Sequence, residues 1–223
     1  MDPAARDQFV VRYNDETEIW WNDPGKPNQQ PSHARHNWSD TYVSWSPKGT
    51  YLATFHRLGI MLWGGPSWKK LLKINHGGVK HQLQWDVPPQ DLDYEQMMPV
   101  FAHGLSETRH PYVFVAQHGF TQLLTAPGAP GKVVSVLPTV IVPLRAALGS
   151  KDKEVAKNAL QACHLLSNVV KGALNQHLPK LLIPIKRRCF DRDFNEVIQE
   201  LLGAIEENGG EPALRCIKAK VPT

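Results

Sequence analysis

Two segments of this 223-residue chain contain the same pattern of prolines. Residues 136–148 read VLPTVIVPLRAAL, and residues 177–189 read HLPKLLIPIKRRC, an offset of 41 residues. Each segment contains Leu-Pro, a short apolar run, a second proline, an aliphatic residue and a base. A proline inside a helix removes a hydrogen bond and bends the helix. The same bend at the same place in two segments therefore predicts a repeated helical unit.

A second helix follows each proline-rich segment. In residues 151–170 the apolar residues Val155, Ala159, Cys163, Leu166 and Val170 form one stripe. In residues 194–207 the apolar stripe comprises Phe194, Val197, Ile198, Leu201, Leu202 and Ile205. Two matched helix pairs at a period near 41 residues predict an α-solenoid, because HEAT and armadillo repeats run at about 40 to 47 residues.

The prolines also predict where the helices begin. We interpret Pro138 and Pro179 as first-turn residues, since a proline there removes a donor that has no partner in any case. Pro143 and Pro184 then lie inside the first helix of each pair and bend it. Helical periodicity also covers residues 92–105 and 110–124, and the Pro-Gly cluster at 127–131 is predicted to break the chain. About three helix pairs are therefore expected in residues 92–223.

The N-terminal third has the alternating pattern of short strands. Apolar and polar residues alternate in 8–13, 17–21, 42–47, 51–56 and 60–65, with turn residues between the runs. Residues 1–75 are therefore predicted to form an antiparallel β-meander with a polar loop from Asn22 to Asn37. Residues 76–91 carry Gly-Gly and Pro-Pro pairs without a sustained period, and we interpret them as a linker.

Composition limits the class of protein. The net charge of +4 permits an acidic partner, either RNA or a protein surface, without requiring one. Three cysteines with no C-x-x-C pair indicate neither a disulfide framework nor a cysteine zinc site. We find no signal-peptide pattern and no uninterrupted apolar run of about 20 residues, so we expect a cytoplasmic protein without a membrane partner.

No sequence pattern indicates catalysis or a cofactor. The closest histidine pairs, His33 with His36 and His76 with His81, lack the third ligand that a metal site needs, and we interpret them as loop histidines. Nucleophile, P-loop and dinucleotide motifs are missing from the sequence. Cys163 lies on an apolar stripe and is expected to be a core residue. We therefore expect no enzyme, no metal and no cofactor.

Two residue groups are candidates for binding. The first is a basic cluster, which is either a solvated helix end favoured by the helix dipole or a patch for an acidic partner. The cluster comprises Lys186, Arg187 and Arg188 with Arg192 four residues on, and Lys218 and Lys220 are further candidate cations for the same partner. The second is a set of strand aromatics that either pack in a β core or stack on nucleic-acid bases. It comprises Trp20, Trp21, Trp45, Tyr51 and Trp63.

The N-terminal third resembles a known family. Residues 6–13 (RDQFVVRY), 37–65 (NWSDTYVSWSPKGTYLATFHRLGIMLWGG) and 69–76 (KKLLKINH) are similar to the start of the β-propeller in the B subunit of eukaryotic translation initiation factor 3. The resemblance implies a partial WD40-like propeller fragment of under two blades. It also implies initiation factor subunits or the small ribosomal subunit as partners.

The remainder resembles a different family, the Parkin co-regulated gene protein family, and its shorter "like" branch in particular. The similar strings include HGGVKHQLQWDVPP at 76–89, the two proline-rich segments, and ENGGEPALRCIKAKVPT at 207–223. The resemblance implies a helical-repeat fold associated with ciliary and flagellar microtubules, with tubulin or an axonemal protein as the partner. Cytoskeleton and cilium are then possible locations beside the cytoplasm.

Together these observations predict an α+β chain in separate modules. Residues 1–75 form a β-propeller fragment, 76–91 a linker, and 92–223 a HEAT/armadillo-like domain. We expect the helical domain to be a non-enzymatic scaffold that binds tubulin, microtubules or axonemal proteins and does not bind DNA. The alternative is a scaffold component of the initiation factor 3 complex that acts through the β-fragment.

Overall fold

The computed structural model describes residues 6–26, 29–65, 68–75, 83 and 85–221. The chain divides into two compact units, Met1–Gln84 and Trp85–Thr223. The first consists of antiparallel sheets and the second of helices, as the sequence predicts. Half of the predicted linker, residues 76–82 and 84, lies outside the described residues. Trp85 packs edge-on against Phe101 and so belongs to the helical unit.

The β unit begins with a three-stranded sheet. Strands β1 (Asp7–Tyr13), β2 (Glu16–Asn22) and β3 (His33–His36) pair antiparallel in chain order. On β2 the alternate residues Thr17 and Ile19 are buried, which is the pattern of a strand with one face on a core. Strand β3 lies in the segment that the sequence predicts as a polar loop. That prediction is wrong there, because HARH contains no apolar alternation to reveal a strand.

A four-stranded sheet follows in the same order. Its strands are β4 (Val43–Trp45), β5 (Leu52–His56), β6 (Gly59–Gly64) and β7 (Lys69–Asn75). The turn before β5 contains Gly49 with φ +69°, a conformation that favours glycine. Both sheets are antiparallel meanders, and each has an edge strand on either side.

Tryptophans dominate the core of the β unit. Ile19, Trp38, Leu52, Trp63 and Trp68 form one buried cluster. Its ring pairs are edge to face, with centroids 5.3 Å apart for Trp38 and Trp63. The sheets are thus held by indole packing, as we expect for aromatic-rich strands.

The helical unit contains three successive helix pairs. The helices are α1 (Tyr94–Gly104), α2 (Tyr112–Thr125), α3 (Ala129–Leu148), α4 (Lys153–Val170), α5 (Leu178–Lys186) and α6 (Asn195–Lys220). Short 3-10 segments lie at Pro89–Asp91, Lys171–His177 and Arg192–Phe194. Within each pair the two helices are in contact. Helix α3 also packs between α1 and α5, and α4 between α2 and α6, so equivalent helices stack side by side.

The prolines differ in position between the two repeats. Pro179 lies in the first turn of α5, as predicted. Pro138 does not begin a helix, because α3 starts at Ala129 and continues through both Pro138 and Pro143. The predicted break at 127–131 is confirmed in its first part, since α2 ends at Thr125 and α3 starts after Gly128, whose φ is +73°. Pro130 lies in the first turn of α3. In the second repeat, the 3-10 segment Lys171–His177 precedes the shorter α5.

Helix α6 is interrupted near its C-terminal end. Gly210 has φ +64° and ψ −155°, which separates the two helical parts of α6. The break is held from outside, because Asn175 Nδ2 donates to Gly209 O at 2.9 Å. Asn175, Gly209 and Gly210 therefore determine the direction of the last part of α6.

Helix α3 is the only helix among the described residues that is long and apolar enough to span a membrane. Half of its most apolar window is buried within the unit, where α3 contacts α1, α4 and α5. Apolarity of this kind is typical of a central helix that packs on several neighbours.

Candidate protein-interaction groove

Two adjoining depressions lie where α3, α5 and the end of α6 meet. One has a volume of about 510 Å³ and the other about 440 Å³, and both include Ile183 and Arg187. We call the combined surface the basic groove. Its lining residues are Val142, Arg145, Ala146, Gly149, Leu182, Ile183, Pro184, Lys186, Arg187, Phe190 and Lys220.

The lining combines cations with exposed apolar side chains. Phe190 is 84% exposed, Val142 68% and Ile183 39%. Apolar side chains of this size are usually buried, and a cluster of exposed ones is typical of a binding surface. No aspartate or glutamate belongs to the lining found among the described residues. The lining of the groove is therefore both apolar and positively charged.

The four cations of the groove lack internal partners. Among the described residues, Arg145, Lys186, Arg187 and Lys220 have no hydrogen-bond acceptor and no carboxylate within ion-pair distance. Arg145, Lys186 and Lys220 lie in the last turns of α3, α5 and α6, where cations are favoured by the helix dipole. Helix geometry thus accounts for part of their placement, although it does not account for the exposed apolar residues between them.

Arg188 faces inward, unlike its neighbours. Its Nε donates to Leu148 O at 3.3 Å, and a second guanidinium nitrogen donates to Ser150 O. The guanidinium carbon lies 4.7 Å from the centre of the Phe194 ring. The interpretation of the whole cluster as a solvated helix end is therefore wrong for this residue. Arg188 ties the end of α5 to the turn after α3.

The other two candidate residues lie outside the groove. Arg192 is exposed in the 3-10 segment, and Lys218 is exposed on α6, but neither belongs to the lining. Lys218 and Lys220 are two positions apart on a helix and so point in different directions. Of the six residues that the sequence singles out, the structure brings together Lys186, Arg187 and Lys220.

Arg145, Val142, Ile183 and Phe190 are groove residues that the sequence reasoning missed. The offset of 41 residues could have identified most of them. It aligns Val142 with Ile183 and Arg145 with Lys186, so the repeats place the same kinds of side chain on one surface. Only Phe190 has no counterpart of its type in the first repeat.

An ion-pair cluster holds the turn between α5 and α6 to the start of α4. Lys153 contacts Asp193, and its Nζ lies 3.8 Å from Asp191 Oδ2. The hydrogen bond from Lys153 lowers the pKa of the Asp193 carboxyl and, in return, raises that of the lysine. These charges are satisfied by one another, in contrast to the cations of the groove.

The remaining candidates for chemistry have structural surroundings. Cys163 is fully buried, and burial raises the pKa of its thiol to about 12. The described residues contain no group of three potential metal ligands. His33 and His36 lie on strand β3, while His76 and His81 are outside the described residues. A third depression, of about 320 Å³, is lined largely by amide and aliphatic side chains of α2 and α4.

The strand aromatics divide between core and surface. Tyr51 and Trp63 are buried, and Trp45 packs edge-on against Trp68 with centroids 5.1 Å apart. Packing therefore explains these three. Trp20 and Trp21 are half-buried, and Trp20 stacks on the exposed ring of Phe9.

Comparison with known proteins also gives two different relationships for the two parts of the chain, although the family match begins within β7. A family model described as Parkin co-regulated protein matches residues 71–223. Over 81 residues the chain is 52% identical to the B subunit of eukaryotic translation initiation factor 3 from Xenopus laevis, which is 35% of this chain and 12% of that protein. It is 44% identical over 80 residues to the Arabidopsis thaliana protein of the same name, covering 35% and 11%. The chain thus spans about a tenth of the length of these relatives.

Proposed function

Because the chain belongs to the Parkin co-regulated protein family, we propose that its helical unit is a non-enzymatic scaffold that binds tubulin or another axonemal protein. The basic groove is the contact surface in this proposal. The protein would then act in the cytoplasm and at the cytoskeleton of the cilium. Its three helix pairs would be repeats of the HEAT or armadillo type, a class that binds partners along extended surfaces.

The observation that carries the proposal is the chemistry of the groove. It presents exposed Phe190, Val142 and Ile183 together with four cations that are unpaired within the part of the chain that the structure describes. An acidic protein surface would neutralise the cations, and its apolar side chains would cover the exposed ones. A scaffold needs only such a surface.

Microtubule co-sedimentation tests the proposal. We expect the double variant Lys186→Glu/Arg187→Glu to bind microtubules at least about tenfold more weakly, because two attractive charges become repulsive. Binding of the unaltered chain should weaken as salt rises, since exposed charges are screened. Circular dichroism should show unchanged helix content, because both side chains are exposed.

Lys218→Glu is the matched control. It makes the same charge change on a helix that contributes to the groove, but at an exposed position outside the lining. Lys220→Glu should weaken pelleting and Lys218→Glu should leave it nearly unchanged. If Lys218→Glu and Lys220→Glu weakened pelleting equally, binding would depend on the overall charge of the surface and not on the groove. Undiminished pelleting of the double variant would contradict the proposal.

The β unit supports a second candidate function, that of a scaffold component of the initiation factor 3 complex. It is favoured by the identity of 52% over 81 residues to a protein named as the B subunit of that factor. In this proposal the sheets are part of a WD40-like propeller, and they dock on other initiation factor subunits or on the small ribosomal subunit. The free edges of β1 and β7 would be the first surfaces to test.

Gradient sedimentation with ribosomal subunits separates the two candidates. Co-migration should persist after deletion of residues 85–223 if the β unit carries it. Co-migration that requires the helical unit, or that is lost at moderate salt in every variant, would contradict this second candidate.

A further inference from the structure

Exposed apolar side chains of the helical unit are concentrated in the basic groove. Five large apolar side chains are exposed among the described residues of this unit, and Val142, Ile183 and Phe190 line the groove. The other two, Val87 and Val134, do not. The groove therefore combines three of these five side chains with four cations that have no partner among the described residues.

Each of the two repeats contributes one apolar side chain and one cation to this surface. Val142 and Arg145 project from α3, and Ile183 and Lys186 occupy the equivalent positions on α5. Residues three apart are neighbours on a helix face, so each repeat presents an apolar residue beside a cation. Because α3 and α5 pack against each other, the two pairs lie side by side, about 8 to 10 Å apart by the usual spacing of packed helices.

The shape of the groove selects among anionic partners. Its apolar residues line depressions of about 510 and 440 Å³, which a protruding side chain can enter and a bilayer surface cannot. Single-stranded nucleic acid would pair its phosphates with the cations, but its bases stack on aromatic faces and would leave the aliphatic residues uncovered. Phe190 is the only aromatic residue in the lining. A protein segment with both carboxylates and large apolar side chains satisfies both parts of the surface.

We propose that the basic groove binds a linear acidic protein segment that inserts large apolar side chains between Arg145, Lys186, Arg187 and Lys220. This inference rests on the proposed function, since it names the kind of segment that a partner presents to the groove. The carboxylates attract the segment to the groove, and the apolar side chains at Val142, Ile183 and Phe190 determine which acidic segments stay bound. Acidity alone is insufficient for tight binding.

Fluorescence anisotropy of the full chain with two synthetic peptides tests the inference. Both are fluorescein-labelled dodecapeptides of glutamate and glycine with equal charge, one with a central Leu-Phe pair and the other with Ala-Ala. We expect the Leu-Phe peptide to bind at least about tenfold more tightly. Phe190→Ser and Val142→Ser should each remove most of this difference. Both side chains are largely exposed, so neither substitution should alter the fold, as circular dichroism will check.

Val134→Ser is the matched control. Val134 is 42% exposed on the same helix α3 and lies outside the groove, so the preference for Leu-Phe should persist. The double variant Lys186→Glu/Arg187→Glu should weaken both peptides alike. This pattern separates the contribution of the apolar residues from that of the charges.

Two results would overturn the inference. One is equal affinity for the two peptides in the unaltered chain. The other is a preference that Phe190→Ser and Val142→Ser leave intact. Tighter binding of oligouridine or of anionic lipid vesicles than of the Leu-Phe peptide would also contradict it, because the occupant would then not be a protein segment. Because the peptides contain no tubulin, failure of microtubule pelleting with a retained peptide preference would refute the proposed partner alone.

Discussion

The two units of the chain differ in how completely their strand edges and buried polar side chains find partners within the same unit. In the helical unit, three helix pairs stack and share an aliphatic core. Among the described residues of the β unit, β1, β3, β4 and β7 each pair on one side only. Long β1 also leaves Phe9, Val11 and Tyr13 exposed, which is unusual at a free edge.

Buried polar atoms show the same difference. Six buried side-chain atoms among the described residues have no hydrogen-bond partner, and four belong to the β unit: Thr17 Oγ1, His33 Nδ1, Trp38 Nε1 and Trp45 Nε1. Buried donors normally find partners, and each orphan costs about 1–3 kcal/mol. The comparison teaches that the helical unit is nearly complete in itself, whereas the β unit has edges and core atoms suited to further β structure.

Separation of the units is expected to produce the largest effect. Residues 85–223 alone should keep their helical circular dichroism and unfold cooperatively. Residues 1–84 alone should associate through their edges, which light scattering would detect. Six of the seven tryptophans lie in residues 1–84, so tryptophan fluorescence reports mainly on the β unit. A molten fragment 85–223 beside a monomeric, folded fragment 1–84 would reverse the comparison.

A matched pair of core substitutions comes next. Leu160 and Leu62 are both fully buried, one in each unit. Leu160→Ala and Leu62→Ala should each lower the free energy of unfolding by about 2–5 kcal/mol through lost contacts and a cavity. Leu160→Ala should move the transition seen at 222 nm, and Leu62→Ala the one seen by fluorescence. If either substitution left its own transition in place, that leucine would not belong to the core of its unit.

The break in α6 allows a paired glycine test. A Cβ at Gly209 would lie 2.3 Å from Asn175 Oδ1 and 2.6 Å from Ala213 Cβ, so Gly209→Ala should destabilise the helical unit by about 1–3 kcal/mol. Gly203, on the same helix, has nothing within 4 Å of the added atom. Gly203→Ala should therefore stabilise by about 0.5–1 kcal/mol, as expected inside a helix. Chemical denaturation monitored at 222 nm distinguishes the destabilisation from the stabilisation. A change in stability of the same sign for both substitutions would contradict the close packing of Asn175 and Ala213 against Gly209.

Neighbouring arginines provide a smaller contrast. Arg188→Ala removes two hydrogen bonds and a ring contact, and should cost about 1–2 kcal/mol of stability. Arg187→Ala should change stability by less than about 0.5 kcal/mol, because the side chain is exposed and unpaired. Partner binding should show the reverse order. Similar stability losses for Arg187→Ala and Arg188→Ala would mean that the two arginines contribute equally to stability, contrary to their different surroundings.

The smallest effect is electrostatic. Lys153→Met should raise the pKa of Asp193 toward its ordinary value, because the hydrogen bond that lowers it is lost. Since the folded pKa is depressed, this pair stabilises the unit above the unfolded pKa of about 3.9 and loses its effect as pH falls through the folded value. Carboxyl carbon NMR would measure the shift, with Lys151→Met as the control that leaves it unchanged. An unaltered Asp193 titration in Lys153→Met would exclude the pairing.

The sequence predicted antiparallel strands in the first unit and helices in the second, because the hydrophobic periods of both are strong. It failed where local chemistry is ambiguous. Pro138 has the features of a helix start, yet packing of α3 on four neighbouring helices carries the helix through it. Strand β3 has no apolar alternation and is held by pairing with β2.

Prediction of the site was limited by side-chain direction. The sequence groups the adjacent charges Lys186 to Arg188, but it does not show which of them face the groove. The inward orientation of Arg188 depends on carbonyls 38 and 40 residues away. The exposed apolar residues were missed because an isolated exposed valine or isoleucine is ordinary in sequence terms. Their meaning depends on the packing of α3 beside α5.

Because the last helical part of α6 begins at the break at Gly210, the number of residues between Gly210 and Lys220 determines the direction in which the Lys220 side chain points. Each residue rotates the helix by about 100°, so one residue inserted between Gly210 and Lys220 would turn the Lys220 ammonium away from the groove. Two insertions would place it on nearly the opposite side. Sequences that keep the Gly-Gly pair but have one or two residues more before this lysine should therefore have a groove with one cation fewer.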